Sequence, residues 1–226
     1  MEIGNPISKE KVEKNQMKLI DIFNNLKADY FLHKVFNNLK TKKSLSIVKY
    51  NNNIKKRINI NINNYKEYSE MYSSIELEIK PDHNEYIKFI NIKKEEEKYF
   101  HIFFNNNEKE IKRNYIDKDE EIKIIRIKID YQIKSFENLF KECIYIETIN
   151  FIKFYRNNVT NMKSMFSGCS SLKELNLNNF NTNNVTDMGD MFSGCSSLKE
   201  LNLNNFNTNN VTDMGDMFYG CSSLKN

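Results

Sequence analysis

The sequence predicts an α/β protein in which a short repeat solenoid follows a helical segment and a β-meander. Three observations lead to this prediction. A 26-residue string recurs almost letter for letter in the C-terminal part of the 226-residue chain. Within each copy, apolar residues first alternate with a period of two and then recur at steps of three and four. The preceding half changes from helical apolar spacing to short strand-like runs.

Residues 1–72 are predicted to form a helical N-terminal region. Met17, Ile20 and Phe23 recur with the spacing of one helix face. Basic side chains are concentrated in this region, but acidic and apolar residues are interspersed with them in helical order. This pattern is typical of a solvated helix face, so nucleic-acid binding is not predicted.

Part of this region, "DYFLHKVFNNLKTKKSLSIVKYNNNIKKRI", resembles an F-box. The resemblance lies around residues 28–58 and depends on apolar spacing, as at Leu32, Val35 and Phe36. The Leu-Pro pair that usually opens the motif is missing, and so is its late Trp. The resemblance implies an adaptor of a ubiquitin ligase whose repeats hold the substrate.

Residues 73–130 are predicted to form a β-meander. Runs such as "SIELEIK", "KYFHIFF" and "EIKIIRIKI" are short and rich in Ile, Phe or Tyr, and polar links such as "KKEEE" and "DKDEE" separate them. The last run, near Ile122–Ile129, precedes the first repeat strand by about one period. It is therefore predicted to pair with that strand, so that the meander caps the solenoid.

Residues 131–226 are predicted to form the repeat stack, with a degenerate first copy and an incomplete last copy. Residues 162–187 and 188–213 differ at only two positions. Leu175 and Leu177 alternate with polar residues, which predicts a short strand with one buried face. Parallel pairing of such strands would join neighbouring units.

The second part of each unit is predicted to be a short helix. Val185, Met188, Met191, Phe192 and Cys195 recur at steps of three and four, which places them on one helix face. A single unit of this size cannot bury its apolar face alone. Neighbouring units are therefore expected to stack.

The four cysteines lie 26 residues apart and are predicted to form a buried structural ladder. Equivalent Cβ atoms in a stack point the same way, which disfavours a disulfide, and a buried thiol behaves as a small apolar group. The repeats contain no Cys-x-x-Cys pair and no histidine, so neither a zinc site nor a cofactor is predicted. The ladder residues are Cys143, Cys169, Cys195 and Cys221.

The strings "NVTDMGDMFSGCSSLKELNL" and "NVTNMKSMFSGCSSLKELNL" resemble the BspA-like leucine-rich repeats of surface proteins from bacteria and protists. The resemblance covers about residues 133–226. It implies a curved leucine-rich-repeat solenoid, a role in binding or adhesion, and a cell-surface or secreted location. The missing signal segment instead predicts a cytoplasmic location, and no apolar run reaches the length of about 20 residues needed for membrane insertion.

The sequence contains no catalytic motif, so the chain is predicted not to be an enzyme. The leading interpretation is a protein–protein interaction module that binds another protein through the strand face of the repeats. An F-box-like adaptor and a BspA-like surface adhesin are the alternatives. The final unit lacks a strand and a cap, which leaves two interpretations: self-association through that end, or a fragment or shortened member of a longer array. The predicted partner-binding residues are Glu174, Asn176, Asn178, Glu200, Asn202 and Asn204.

Overall fold

A computed structural model of the protein describes residues 52–57, 70, 73–82 and 86–225. The chain divides into two compact units, Met1–Ser69 and Glu70–Asn226. The described part of the first unit is helix α1 (Asn52–Arg57), in which Ile54 is buried. Apart from Glu70, which is helical, the rest of the helical region predicted over 1–72 lies outside the described residues, and so does most of the F-box-like stretch.

The described part of the second unit is built mainly from β-strands. Five of them form one mixed sheet in the order β3-β5-β1-β6-β7, and β2 and β4 pair separately. Strands β6 and β7 run parallel, and the other neighbours run antiparallel. A 3₁₀ helix at Lys94–Tyr99 precedes β3. The strands are β1 (Ile75–Pro81), β2 (Ile87–Lys88), β3 (Phe100–Phe104), β4 (Tyr115–Ile116), β5 (Ile125–Ile129), β6 (Ile146–Lys153) and β7 (Glu174–Asn176).

Alternating apolar residues place one face of the large sheet against the core. In β5, the side chains of Ile125, Ile127 and Ile129 are buried, whereas Arg126 and Lys128 point to the other face. The β-branched side chains suit the pleated backbone. Each buried isoleucine contributes about 1.5–3 kcal/mol relative to an exposed one.

The repeats are joined by the same backbone hydrogen bonds from one unit to the next. The Phe140 N–H donates to the Met165 carbonyl at 2.8 Å, and the Phe166 N–H donates to the Met191 carbonyl at 2.9 Å. The rings of Phe140, Phe166 and Phe192 stack with centroids 5.6 and 5.7 Å apart and planes within 7° of parallel. A period of 26 residues therefore brings chemically identical groups into contact.

The predicted fold class, an α/β leucine-rich-repeat solenoid, is wrong. The described residues form mixed β-sheet, turns and one 3₁₀ helix, and their α-helical residues are those of α1 and Glu70. The segment from Val185 to Cys195, predicted to be helical, contains no helix: Asp187 forms a parallel bridge, and residues 189–194 form turns. The Met188 N–H donates to the Asp213 carbonyl, 25 residues later, at 2.9 Å, not to a carbonyl four residues back. Asp190 also has a φ of +54°, which a right-handed helix does not contain.

The strand order also differs from the predicted meander. Strand β1, not β5, pairs with the first repeat strand β6: Leu77 lies opposite Ile127 on one side and opposite Phe151 on the other. Strands β1 and β5 carry nearly the same alternation of buried Ile and Leu, so the pattern could not distinguish them. Among the described repeats, the parallel pairing of named strands is that of β6 with β7, and the later units are joined by isolated parallel bridges such as Asn161 with Asp187 and Asp187 with Asp213.

Candidate interaction face of the sheet

The outer face is the side of the five-stranded sheet that points away from the core. On it, Glu78 of β1 lies between Arg126 of β5 and Asn150 of β6. Asn150 in turn lies beside Asn176 of β7. The outer face is therefore polar and carries both signs of charge across four strands. A second row on the same face consists of Lys80, Thr148 and Glu174.

The six predicted partner-binding side chains are all exposed to solvent. Glu174 and Asn176 belong to β7, and Asn178 follows that strand. The other three occupy the equivalent positions of the next unit, where no strand is formed. They are Glu200, Asn202 and Asn204.

Two of these asparagines hold the local backbone in place. The Asn176 Nδ2 atom donates to Asn150 Oδ1 at 2.9 Å, and Asn176 Oδ1 accepts from the Asn178 N–H at 3.0 Å. Asn202 repeats the second bond, since its Oδ1 accepts from the Asn204 N–H at 3.0 Å. These side chains replace backbone partners in turns, so their removal would change local structure as well as the surface.

Three of the predicted residues have side chains that remain available to a partner. Within the part of the chain that the structure describes, the Glu174 and Glu200 carboxylates and the Asn204 amide make no hydrogen bond or ion pair. Their substitution would remove charge and hydrogen-bonding groups from the outer face without breaking an internal bond. These residues are therefore the best probes of the face.

Two depressions lie on the outer face. One, of about 310 Å³, is lined by Glu78 and Lys80 on one side and by Glu174 on the other. The second, of about 560 Å³, lies between β7 and residues Lys199–Asn204, which we call the facing segment. Sequence reasoning missed Glu78 and Lys80, because the alternation in β1 indicates an exposed side but not which strands adjoin it.

Lysines flank the second depression. Lys173 Nζ lies 2.9 Å from Glu147 Oε1, and this hydrogen bond raises the pKa of the lysine above its ordinary value. Lys199 stands at the equivalent position of the next unit, and no described acidic side chain pairs with it. The depression therefore offers unpaired groups of both charges, the Lys199 ammonium and the two glutamate carboxylates beside it.

The four ladder cysteines are free thiols, and all except Cys221 are buried. The Cys169 thiol donates to the Phe140 carbonyl of the preceding unit at 3.0 Å, and the later cysteines repeat this bond. Burial raises the pKa of the Cys143 and Cys195 thiols to about 12 and that of Cys169 well above its ordinary value. Such thiols are poor nucleophiles and poor metal ligands at neutral pH. Among the described residues, no group of three or more His, Cys, Asp or Glu side chains is arranged to hold a metal ion.

The Asn-Val-Thr sequences of the repeats also serve packing. The Asn184 Nδ2 atom donates to the Asn157 carbonyl of the preceding unit at 2.8 Å, and Asn158 donates to the Tyr131 carbonyl at 2.8 Å. Asn210 repeats this bond. N-glycosylation modifies the same nitrogen atom, so it would compete with the contact between units.

A separate cavity of about 270 Å³ has an apolar wall that includes Ile92, with charged residues beside it. Lys112 pairs with Glu110, and the Arg113 guanidinium pairs with Glu120. Both cations of the cavity wall are thus neutralised within the chain. The cavity offers a ligand less charge than its residue types suggest, so the outer face is the stronger candidate.

These features define a mixed β-sheet protein whose C-terminal units are tandem repeats joined by hydrogen bonds. Residues 134–226 match the family described as "Mycoplasma protein of unknown function, DUF285". The match spans the repeats and covers less than half of the chain. No curated protein and no solved structure matches the chain. No helix within the described ranges has the length and apolar character needed to cross a bilayer.

Proposed function

We propose that the chain is a non-enzymatic interaction module that binds another protein through the outer face. The sequence motif of the repeats resembles that of BspA-like repeats, whose role is binding or adhesion. One observation carries the proposal: Glu174, Glu200 and Asn204 are exposed, recur with the repeat, and have side chains that no described residue engages. Packing therefore does not account for their presence, whereas a partner would use them.

The composition of the outer face favours a polar partner surface. Amide side chains such as that of Asn204 both donate and accept hydrogen bonds, and the nearby carboxylates select basic groups. The row from Arg126 to Asn176 extends this chemistry across the sheet. We therefore expect a partner that contributes lysine or arginine together with amide or hydroxyl groups.

The test compares partner capture from the source cell by the native chain and by a triple variant, Glu174→Ala, Glu200→Ala and Asn204→Ala. The matched control is Glu137→Ala with Lys141→Ala, because both side chains are exposed on the turn side of the repeats and form no described bond. The triple variant should lose a partner that the control retains. An unchanged partner list for the triple variant would mean that the outer face is not the binding surface.

A further inference from the structure

The smaller of the two depressions lies where a short side chain separates two long ones on the outer face. Thr148 of β6 is flanked by Lys80 of β1 on one side and by Glu174 of β7 on the other. Neighbouring strands are about 4.8 Å apart, so the backbones of Lys80 and Glu174 are separated by about 10 Å. The threonine side chain fills little of that gap, and the result is an open volume of about 310 Å³.

The two long side chains carry opposite charges that are not used inside the chain. Lys80 and Glu174 are exposed, and neither side chain forms a hydrogen bond or an ion pair within the part of the chain that the structure describes. Glu78, which lines the same wall as Lys80, lies opposite Arg126 of β5 and so has a cation beside it. The smaller depression therefore has a free ammonium group at one wall and a free carboxylate at the other.

The floor of the smaller depression supplies hydrogen-bond donors between these charges. The Thr148 hydroxyl makes no hydrogen bond among the described residues. Asn150 accepts a hydrogen bond from Asn176 through its Oδ1 atom, and no described group engages its Nδ2 atom. A carboxylate accepts several hydrogen bonds at once, so both donors favour an anion that lies beside Lys80.

We infer that the smaller depression binds the C-terminal residue of a partner protein, and that this residue is lysine or arginine. The terminal carboxylate pairs with Lys80, and the side-chain cation pairs with Glu174 across Thr148. This inference rests on the proposed function and specifies which part of the partner is held. Capture of a chain terminus is a recurring mode of peptide recognition.

The size and the charges of the smaller depression favour a chain terminus over a folded surface. A volume of about 310 Å³ is at the lower limit of ligand sites, so it accommodates a single residue. A basic residue at a chain end carries an anion and a cation joined by one flexible side chain, which matches two opposite charges on facing walls. A basic residue inside a chain lacks the carboxylate and would leave Lys80 without a partner.

The probe is a fluorescent tetrapeptide, Gly-Gly-Ser-Lys with a label at its N-terminus and a free C-terminal carboxylate. It is titrated into the full chain and followed by anisotropy. One comparison peptide has a C-terminal amide, and the other has norleucine in place of lysine. Each comparison peptide should bind about 5-fold more weakly, which is the effect of losing one exposed ion pair. Added salt should weaken the lysine peptide most, because both of its contacts are between exposed charges.

Single substitutions assign each end of the peptide residue to one wall. Lys80→Gln should weaken the lysine peptide about 5-fold and leave the amide peptide unchanged, since the amide has no carboxylate to lose. Glu174→Gln should weaken the lysine peptide about 5-fold and leave the norleucine peptide unchanged. Thr148→Val keeps the shape of the side chain but removes the hydroxyl, so it should reduce the preference for the free carboxylate.

The matched controls are Lys199→Gln and Glu200→Gln. Both side chains are exposed, form no described bond and lie outside the lining of the smaller depression. The controls should bind all three peptides as the native chain does. Failure of the lysine peptide to bind, equal binding of the three peptides, or equal losses in the controls would each overturn the inference.

The two proposals can fail separately. If the triple alanine variant loses its partner and Lys80→Gln retains it, the outer face stands and the inference about the C-terminal residue is wrong. If the peptides bind as described while the partner list of the triple variant is unchanged, the smaller depression binds chain ends and the proposed function of the outer face is wrong.

Discussion

Replacement of Gly194 by alanine tests how tightly the repeats pack. Gly194 has a φ of +74°, a left-handed conformation that alanine adopts at a cost. An added Cβ atom would lie 3.4 Å from both the Cα and N atoms of Gly168 in the preceding unit. The Gly194 backbone cannot move away freely, because its N–H donates to the Tyr219 carbonyl at 2.7 Å. The new methyl group therefore meets backbone on one side and a hydrogen bond on the other.

The expected loss follows from two opposing effects. The left-handed conformation costs an alanine about 1–2 kcal/mol. The less flexible unfolded chain of the variant returns about 0.4–1 kcal/mol. The Gly194→Ala variant should therefore lose about 1 kcal/mol in its free energy of unfolding. In urea followed by circular dichroism, the midpoint should fall by about 0.3–1 M.

The matched control is Gly189→Ala in the same repeat. Gly189 does not have a left-handed φ, and its added Cβ would meet the flexible Asp213 carboxylate at 3.1 Å, not backbone. Lys163 stands at the equivalent position of the preceding unit, so a side chain is tolerated there. The control should change the free energy of unfolding by less than about 0.5 kcal/mol. Equal losses in the two variants, or no loss at Gly194, would refute the argument from the left-handed conformation.

Three other measurements test separate parts of the structure. The Cys195 thiol, with a pKa raised to about 12 by burial, should react slowly with a thiol reagent at neutral pH in the native chain and quickly in urea. Asn184→Ala removes the hydrogen bond to the Asn157 carbonyl and should lower the free energy of unfolding by about 0.5–1 kcal/mol in urea titration. Arg113 holds the pKa of the Glu120 carboxyl below its ordinary value, so this pair contributes stability above about pH 4.3 that is lost as the pH falls through the lowered pKa. Glu120→Gln should therefore make the acid side of the stability curve shallower, and an unchanged curve would contradict that assignment.

The sequence predicted the repeat register and the strand-forming runs better than it predicted the fold. Alternating apolar residues indicated strands where β1, β3 and β5 occur, because one buried face imposes a period of two. The 26-residue register recurs in contacts such as the stacked rings of Phe166 and Phe192. Both signals are local or periodic, so a single sequence carries them directly.

Strand order and backbone hydrogen-bond partners could not be predicted from the sequence in this way. Steps of three and four fit a series of turns as well as a helix, and the two are distinguished by the donation from Met188 to Asp213 and by the positive φ of Asp190. The place of β1 beside β6 depends on tertiary packing that two similar apolar patterns cannot rank. The end of the named strands at β7 was missed for a third reason, since equal strings at Leu175 and Leu201 predict equal pairing. The structure pairs only the first of them.

The near-identity of the repeats follows from bonds that cross the boundary between units. Side chains such as Cys195 and Asn184 donate to the preceding unit, so a substitution there breaks a contact that the neighbour also needs. The two copies differ only at two pairs of equivalent positions, 163 with 189 and 164 with 190. Between these positions, the Ser164 N–H donates to the Gly189 carbonyl, a hydrogen bond that uses backbone atoms alone. Glu174 and its equivalent in the next unit make no such bond, so packing does not explain why they are the same; under the proposed function they belong to one binding surface.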